Sequence, residues 1–381
     1  MALTISGVRI NGALTAVHIP PPPPPPYYIW SWGQNYAGAL GQGDTANRSS
    51  PVQIGALTNW LKVSGGKYFS LAVKTDGTMW SWGQNSYGKL GLGNTTSVSS
   101  PVQVGALTNW LTVSASDSYN MAVKTDGTMW AWGRNDSYGQ LGLGNQTNRS
   151  SPTQIGALTN WLTVSAGYNH NMAVKTDGTM WSWGQNSANK AGQLGLGDLT
   201  DRSSPVQIGA LTTWSSVSAG KRNHSIAVKT DGTMWTWGMN SYGALGLGNT
   251  TGISSPVQIG ALTTWLSIAA GYYTSAAIKT DGTLWAWGKN GSGRLGLGDT
   301  TNRSSPVQIG ALTTWLRVSA SKTHSAAIKT DGTMWSWGQN TYGQLGLGNT
   351  AYYSSPKQVG ALTAWLDVSA GTGTHILAIS N

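Results

Sequence analysis

The pattern W-x-W-G begins at Trp30, Trp80, Trp130, Trp181, Trp235, Trp285 and Trp335, at spacings of 50, 50, 51, 54, 50 and 50 residues. A period of this length, held over most of a 381-residue chain, restricts the fold to an array of one supersecondary unit. Two further marks keep step with it. S-S-P triplets place prolines at Pro51, Pro101, Pro152, Pro205, Pro256, Pro306 and Pro356, and G-A-L-T-x-W ends at Trp60, Trp110, Trp161, Trp214, Trp265, Trp315 and Trp365. Together these positions account for all 21 tryptophans, and the other seven prolines form the run Pro20 to Pro26.

Within one unit, WLTVSA, NMAVKT, TMWSWG and SPVQIG each read as a short strand, rich in β-branched or aromatic residues and bounded by Gly, Asn, Asp or Ser. Six units carry T-D-G-T (Asp76, Asp126, Asp177, Asp231, Asp281, Asp331), where Asp-Gly predicts a two-residue type I′ hairpin. No window shows capped helical periodicity. Four strands repeated seven times predict an all-β, seven-bladed propeller of four-stranded antiparallel blades. Closure is expected where T-D-G-T is missing. THILAIS (Thr374 to Ser380) supplies a second strand and YYIWSWG (Tyr27 to Gly33) the third, so strands from the two ends share a blade and no open edge remains. The organisation is then a β-hairpin peg over 1–19, a polyproline linker over 20–26 and a propeller over 27–381.

The same residues mark a known family. W-x-W-G, the run NTYGQLGLG (Asn340 to Gly348) and the stretch from Val318 to Thr333, V-S-A…H-S-x-A-x-K-T-D-G-T, resemble the RCC1 (regulator of chromosome condensation) repeat over roughly residues 27–381. The resemblance implies the seven-bladed propeller. For function it spans a nucleotide exchange factor for a small GTPase, ubiquitin-ligase modules and trafficking regulators, so the fold alone carries little. The exchange-factor relatives use a β-wedge insertion and acidic surface residues, whereas the longest insertion here is three residues. The chromatin-binding relatives use a basic tail, whereas residues 1–19 offer only Arg9.

Composition excludes much chemistry. The chain has no Cys and no Glu; its 13 acidic residues are all Asp, and there are five His. Disulfides, thiolate metal sites and cysteine nucleophiles are therefore excluded. No catalytic set, metal site or cofactor site is expected. The G-x-L-G-L-G runs precede no helix, so they read as turn glycines rather than a phosphate loop. His170, His224, His324 and His375 share one repeat position with Phe69, Tyr119 and Thr274, which predicts buried, hydrogen-bonded histidines. The paired Trp30/Trp32, Trp80/Trp82, Trp130/Trp132, Trp181/Trp183, Trp235/Trp237, Trp285/Trp287 and Trp335/Trp337 are expected to pack between blades as structural core. No apolar stretch reaches 18 residues, and the N-terminus shows no Sec signal, so synthesis in the cytoplasm without membrane insertion is expected.

Strand alternation puts T-D-G-T and G-A-L-T-x-W on one face, and the loops after V-S-A-G and W-x-W-G on the other. The second set varies most, and holds 13 Lys/Arg against 6 Asp, or +7 of the total +10. The candidate binding face comprises Arg48, Lys67, Tyr68, Tyr87, Lys89, Tyr119, Arg134, Tyr138, Arg149, Tyr168, Lys190, Arg202, Lys221, Arg222, Tyr242, Tyr272, Tyr273, Arg294, Arg303, Lys322, Tyr342, Tyr352 and Tyr353. Basic residues interleaved with Tyr suit a protein partner, a glycan or an anionic polymer.

Ahead of the repeats, Asn11-Gly12 separates two apolar-alternating runs, a hairpin signal carried by Ile5, Val8, Ile10, Leu14 and Val17. Pro20 to Pro26 extends for about 20 Å as polyproline II. A peg, a stiff spacer and a head suggest a non-enzymatic display protein anchored to a larger protein assembly, in its most specific form a virion decoration or fibre component on a capsid or tail. The alternatives are a soluble regulator resembling its eukaryotic relatives, acting in nucleotide exchange or chromatin binding, or a glycan-binding lectin-like propeller.

Overall fold

A computed structural model describes residues 26–187 and 191–381. The anchor residues Ile5 to Val17, the 1–19 peg, most of the linker and Lys190 lie outside the described residues. Among the described residues 28 strands, numbered β1 to β28 along the chain, form seven four-stranded antiparallel sheets. One blade shows the plan: β3 (Trp60–Gly65), β4 (Phe69–Lys74), β5 (Met79–Gly83) and β6 (Val98–Gln103) pair in order. The first strands of all blades touch one another around the axis, and each second strand packs on the next blade's first. In the closing blade the order is β2 (Arg48–Gln53), β1 (Tyr28–Gly33), β28 (His375–Ser380), β27 (Trp365–Ala370), with β1 and β28 paired over six positions from Tyr28↔Ser380 to Gly33↔His375. The ring is closed by the two ends of the repeat array, as the missing hairpin implied.

Each blade-to-blade seam is built on tryptophan, but the two members of a W-x-W-G pair differ. The second members, Trp32, Trp82, Trp132, Trp183, Trp237, Trp287 and Trp337, are buried at 0 or 1% exposure, so none of them offers a stacking surface to a ligand. Each of their indoles donates to a backbone carbonyl of the preceding blade: Trp32 to Gln344 (3.1 Å), Trp82 to Ala39 (2.9 Å), Trp132 to Lys89 (3.0 Å), Trp183 to Gln140 (3.1 Å), Trp237 to Gln193 (3.0 Å), Trp287 to Ala244 (2.9 Å) and Trp337 to Arg294 (2.9 Å). The first members, Trp30, Trp80, Trp130, Trp181, Trp235, Trp285 and Trp335, pack against the same cores, as expected, but are only partly buried. The reason is depth along the strand. The first Trp stands nearer the hairpin end, where its indole bonds a threonine hydroxyl or, for Trp30, Ser380 Oγ (2.9 Å). Trp60 meets Trp80 and Trp82 edge-on, at 6.0 and 6.4 Å between ring centroids.

Glycine is required beside the seam: a Cβ on Gly41, at φ +71°, would lie 2.8 Å from Trp82 Nε1. Around the axis, V-S-A makes a second set of joints. Ser64 Oγ accepts the Ala115 N–H at 2.9 Å, four more seams repeat this bond, and Ser369 Oγ accepts the Gly65 N–H at 3.0 Å across the closing seam. At the remaining seam Ala269 stands where the serine would be.

The T-D-G-T turn differs from its expected form. Lys74 pairs with Thr78, leaving the three residues 75–77 in the loop, and only Gly77 has positive φ (+77°). The Gly77 N–H bonds Lys74 O (2.9 Å), so this is a type I turn followed by a glycine bulge rather than a two-residue type I′ turn. The cause is the Asp. Asp76 Oδ1 accepts both the N–H (2.9 Å) and the hydroxyl (2.7 Å) of Thr78, whose oxygen in turn accepts Trp80 Nε1 (3.0 Å). The N-x-x-G loops are likewise tied by a buried amide: Asn35 Oδ1 accepts the Leu40 N–H (2.8 Å) while its Nδ2 donates to Asp44 O (3.0 Å).

Candidate functional site

The loops after each first and third strand emerge together, as in the bond from Gln84 N–H to Tyr68 O (2.8 Å). The variable loops therefore share a face, but the candidate residues on it fall into groups with different freedom. Tyr119, Lys89 and Arg294 are buried, at 0%, 3% and 8% exposure, and correct the expectation for those three. Tyr119 starts a second strand at the histidine position, and its hydroxyl reaches the carbonyls of Gly167 and His170 in the next blade; burial drives its pKa upward. Lys89 and Arg294 occupy the variable position of G-x-L-G, beneath the loops. Lys89 Nζ donates to Lys67 O (3.0 Å) and Gln84 Oε1 (2.9 Å), and burial lowers it to about 7 despite the pull of Asp117.

The outer rim is neutralised. Arg48, Arg202 and Arg303 pair with Asp44, Asp198 and Asp299 at 2.5, 2.6 and 2.5 Å, each four residues away. Arg149, with Asn145 at the Asp position, bonds carbonyls of its own loop instead. Toward the axis, Lys221 donates to Ala115 O and Ala166 O, both at 3.2 Å, and burial lowers it to about 8 with Asp117 opposing. Exposed tyrosines include Tyr87 in the loop after β5, and Tyr342 and Tyr352, which share the loop between β25 (Met334–Gly338) and β26 (Tyr353–Gln358).

One sector is different. Arg222, Tyr242, Tyr272, Tyr273, Lys289 and Lys322 come from five loops spread over about a hundred residues of sequence and meet in one cluster. Tyr273 lies edge-on to Tyr272 (4.8 Å) and Tyr242 (5.3 Å). Arg222 stacks on Tyr272 at 5.2 Å and donates to its hydroxyl at 2.8 Å; Lys289 lies 4.7 Å over Tyr242, and Lys322 5.1 Å over Tyr272. The backbone carbonyl of Lys322 is held by Arg294 Nη1 at 2.5 Å. None of these cations is in an ion pair among the described residues. The tyrosine rings hold the cations in place while leaving their charge uncompensated. Lys289, which sequence reasoning counted among the basic residues of the variable loops but did not single out as a candidate binding residue, joins the cluster through its place over Tyr242 and Tyr273.

The four histidines among the described residues are buried and neutral. Burial holds His170 and His324 near 3 and His224 and His375 near 4. Three bond a serine of the next blade through Nε2: His170 to Ser225 (3.1 Å), His224 to Ser275 (3.3 Å) and His375 to Ser70 (3.2 Å). His324 departs from the expectation. Ile376 stands at the serine position of its neighbour, and neither ring nitrogen has a hydrogen-bond partner within the described residues.

On the opposite face, the leucines of G-A-L-T are exposed in all seven copies: Leu57, Leu107, Leu158, Leu211, Leu262, Leu312 and Leu362, at 41 to 49%. Sequence reasoning passed over them, because a leucine in an invariant motif reads as core.

Comparison with known proteins gives concordant matches. A family model described as the RCC1-like domain matches residues 107–379, and the Regulator of chromosome condensation (RCC1) repeat matches 28–73 and 76–123. The Ultraviolet-B receptor UVR8 of Arabidopsis thaliana is 34% identical over 237 residues, 61% of this chain and 41% of that protein. The X-linked retinitis pigmentosa GTPase regulator of Canis lupus familiaris is 36% identical over 129 residues, 32% of this chain and 12% of that protein. The matched segments thus span less than half the length of these relatives. Yeast RCC1 (Prp20), solved bound to Kap60, superposes with a TM-score of 0.82 over 93% of this chain and 89% of that one, at 20% identity.

Proposed function

The chain belongs to the RCC1-like propeller family, and on that premise we propose that it is a non-enzymatic protein-interaction module that docks an acidic partner surface on its variable-loop face. The observation that carries this is the Arg222–Tyr272–Tyr273–Lys289–Lys322 sector. It joins four loops, its cations have no carboxylate partner among the described residues, and aromatic rings with Arg are the side chains that dominate protein interfaces. A protein containing this fold, yeast RCC1 (Prp20), has been solved with Kap60 bound to it, and a GTPase regulator stands among the relatives. These relatives favour an RCC1-like regulator over particle display. The display reading turns on residues 1–26, draws no support from these relatives, and is not needed for docking by the loops. No helix among the described residues is long and apolar enough to cross a membrane.

The test is a titration of the full chain with poly-L-glutamate, a duplex oligonucleotide and neutral dextran at increasing salt. Saturable glutamate binding that weakens with salt is expected. Preference for the oligonucleotide or the dextran would replace the acidic protein with a nucleic acid or a glycan, and no binding to any of them would remove the electrostatic basis of the proposal.

A further inference from the structure

Beside the aromatic sector, and sharing Arg222 with it, lies a cleft of about 430 Å³ whose lining includes Arg134, Tyr138, Gln140, Tyr168, Arg222 and Asn223. Two of these are buried amides, Gln140 at 1% exposure and Asn223 at 4%, and each has a side-chain oxygen with no hydrogen-bond partner among the described residues. Arg222 Nε is a third buried polar atom there without one. Asn223 also holds a φ of +29°, which a residue with a side chain adopts at a cost. Buried polar groups are nearly always satisfied, so three unpartnered atoms carried by residues that line one cleft mark it as a place where a ligand with matching groups would restore the missing partners once these side chains turn toward it. The two amide oxygens need donors. The guanidiniums need an acceptor: Arg134 is engaged by Asp136 through Nε only (2.7 Å) and Arg222 by Tyr272 through Nη1, which leaves both with further N–H groups.

A carboxylate flanked by amide N–H groups meets both requirements, and that combination is an acidic residue within a peptide. We infer that the cleft receives one Asp or Glu side chain of a bound peptide, its carboxylate on Arg222 and Arg134, its neighbouring backbone N–H groups on Gln140 and Asn223, with Tyr138 and Tyr168 flanking it. The inference rests on the docking face proposed above and supplies its anchor point. A buried anchor in a pocket ringed by looser contacts is the usual arrangement of a binding hot spot. The same chemistry occurs in free glutamate, so the experiment has to separate the two sources.

The full chain is titrated with the blocked peptide acetyl-Gly-Ser-Glu-Ser-Gly-amide, its Gln counterpart and free glutamate. The Glu peptide is expected to saturate, with the Gln peptide and free glutamate at least tenfold weaker. The variant pair Gln140→Ala and Asn223→Gly is chosen to preserve folding: Ala39 and Ala244 occupy the Gln140 position in other blades, and glycine accepts positive φ freely. The pair should weaken the Glu peptide at least tenfold without lowering the unfolding midpoint, since it relieves the positive φ and two unpartnered oxygens. Equal binding of the Glu and Gln peptides, or indifference to the variant pair, overturns the inference, and free glutamate binding as well as the peptide assigns the cleft to a small metabolite instead. If the short peptide fails while poly-L-glutamate still binds through Lys289 and Lys322, the cleft is wrong and the docking face stands. If both fail, the docking face itself is lost.

Discussion

Lys124 and Lys289 sit on opposite faces of the ring, and both lie over aromatic rings. Lys124, 5% exposed, ends a T-D-G-T hairpin strand with Nζ 3.8 Å from the Trp130 centroid and 4.9 Å from Trp110; burial lowers its pKa, against the pull of Asp126. Its equivalents recur in five other blades. Lys289 occurs once, on tyrosines, and contributes to a cluster with no acid among the described residues. On the repeat face, charge is consumed by the hairpin: Lys goes to indole and Asp to Thr, and what remains outward is leucine. On the variable face, charge is left over. The repeated lysine of the hairpin is therefore a folding device here, whereas Lys289, which has no counterpart on the repeat face, is available to a ligand.

The sharpest way to break this contrast is to remove a seam. Trp237→Ala deletes a fully buried indole and its bond to Gln193, and should cost about 3–5 kcal/mol, read as a lower denaturant midpoint; truncating partly buried Trp235 should cost less. An equal loss from both would mean the two tryptophans of a pair are not distinguished as described. Next, the paired substitution Lys289→Ala and Lys322→Ala should reduce poly-L-glutamate affinity about tenfold at low salt without moving the midpoint, whereas Lys124→Ala with Lys175→Ala should do the reverse. A shared phenotype would erase the distinction between the faces.

Acid provides a third test. The four buried histidines have folded pKa values near 3 to 4, below the unfolded value of about 6.5, so the unfolded chain binds their protons first. Their contribution is intact above about pH 6.5 and is lost as pH falls toward 4, with a slope of up to about 1.4 kcal/mol per pH unit for each residue. His324→Phe, which copies the residue at Phe69 and removes an imidazole that has no partner, should flatten that acid limb and raise the midpoint at pH 5 more than at pH 8; an unchanged profile would show that His324 does not titrate on unfolding. The smallest effect expected is from Ala269→Ser, which restores the missing hydroxyl opposite the Ala320 N–H and should stabilise by about 0.5–1.5 kcal/mol; a neutral or negative change would show that seam to be geometrically unlike the rest.

The period, the strand set and the closing blade were legible because Trp, Asp-Gly and S-S-P recur at fixed offsets. The turn type was not. Asp-Gly serves both two-residue and three-residue hairpins, and the choice goes with Asp76, whose Oδ1 accepts both the N–H and the hydroxyl of Thr78. The tryptophan pairs were legible as core but not as unequal, because alternation puts both rings on one side of the strand without saying how deep each lies. Face assignment also followed from alternation, but exposure did not: the residue after the glycine in G-x-L-G is buried in all seven blades whatever its type, and a Lys or Arg there reads as surface, which is why Lys89 and Arg294 were misplaced. The aromatic sector was visible only as separate tyrosines and cations, since its members lie as far apart as Arg222 and Lys322. The cleft at Gln140 and Asn223 left no sequence signal, because amides are common in every loop of the chain.

The position of β1 has a mechanical meaning. It is an inner strand, hydrogen-bonded along both edges, to β28 on one side and β2 on the other. Tension applied along the chain at Tyr27 therefore loads two ladders in shear at once, instead of unzipping one bond at a time. Pulled from Tyr27 against His375, at the opposite end of the β1–β28 ladder, the ring should resist as a single high-force event, while pulled from Trp365 against Asn381, at adjacent ends of the ladder where β27 can peel from β28, it should open in smaller steps.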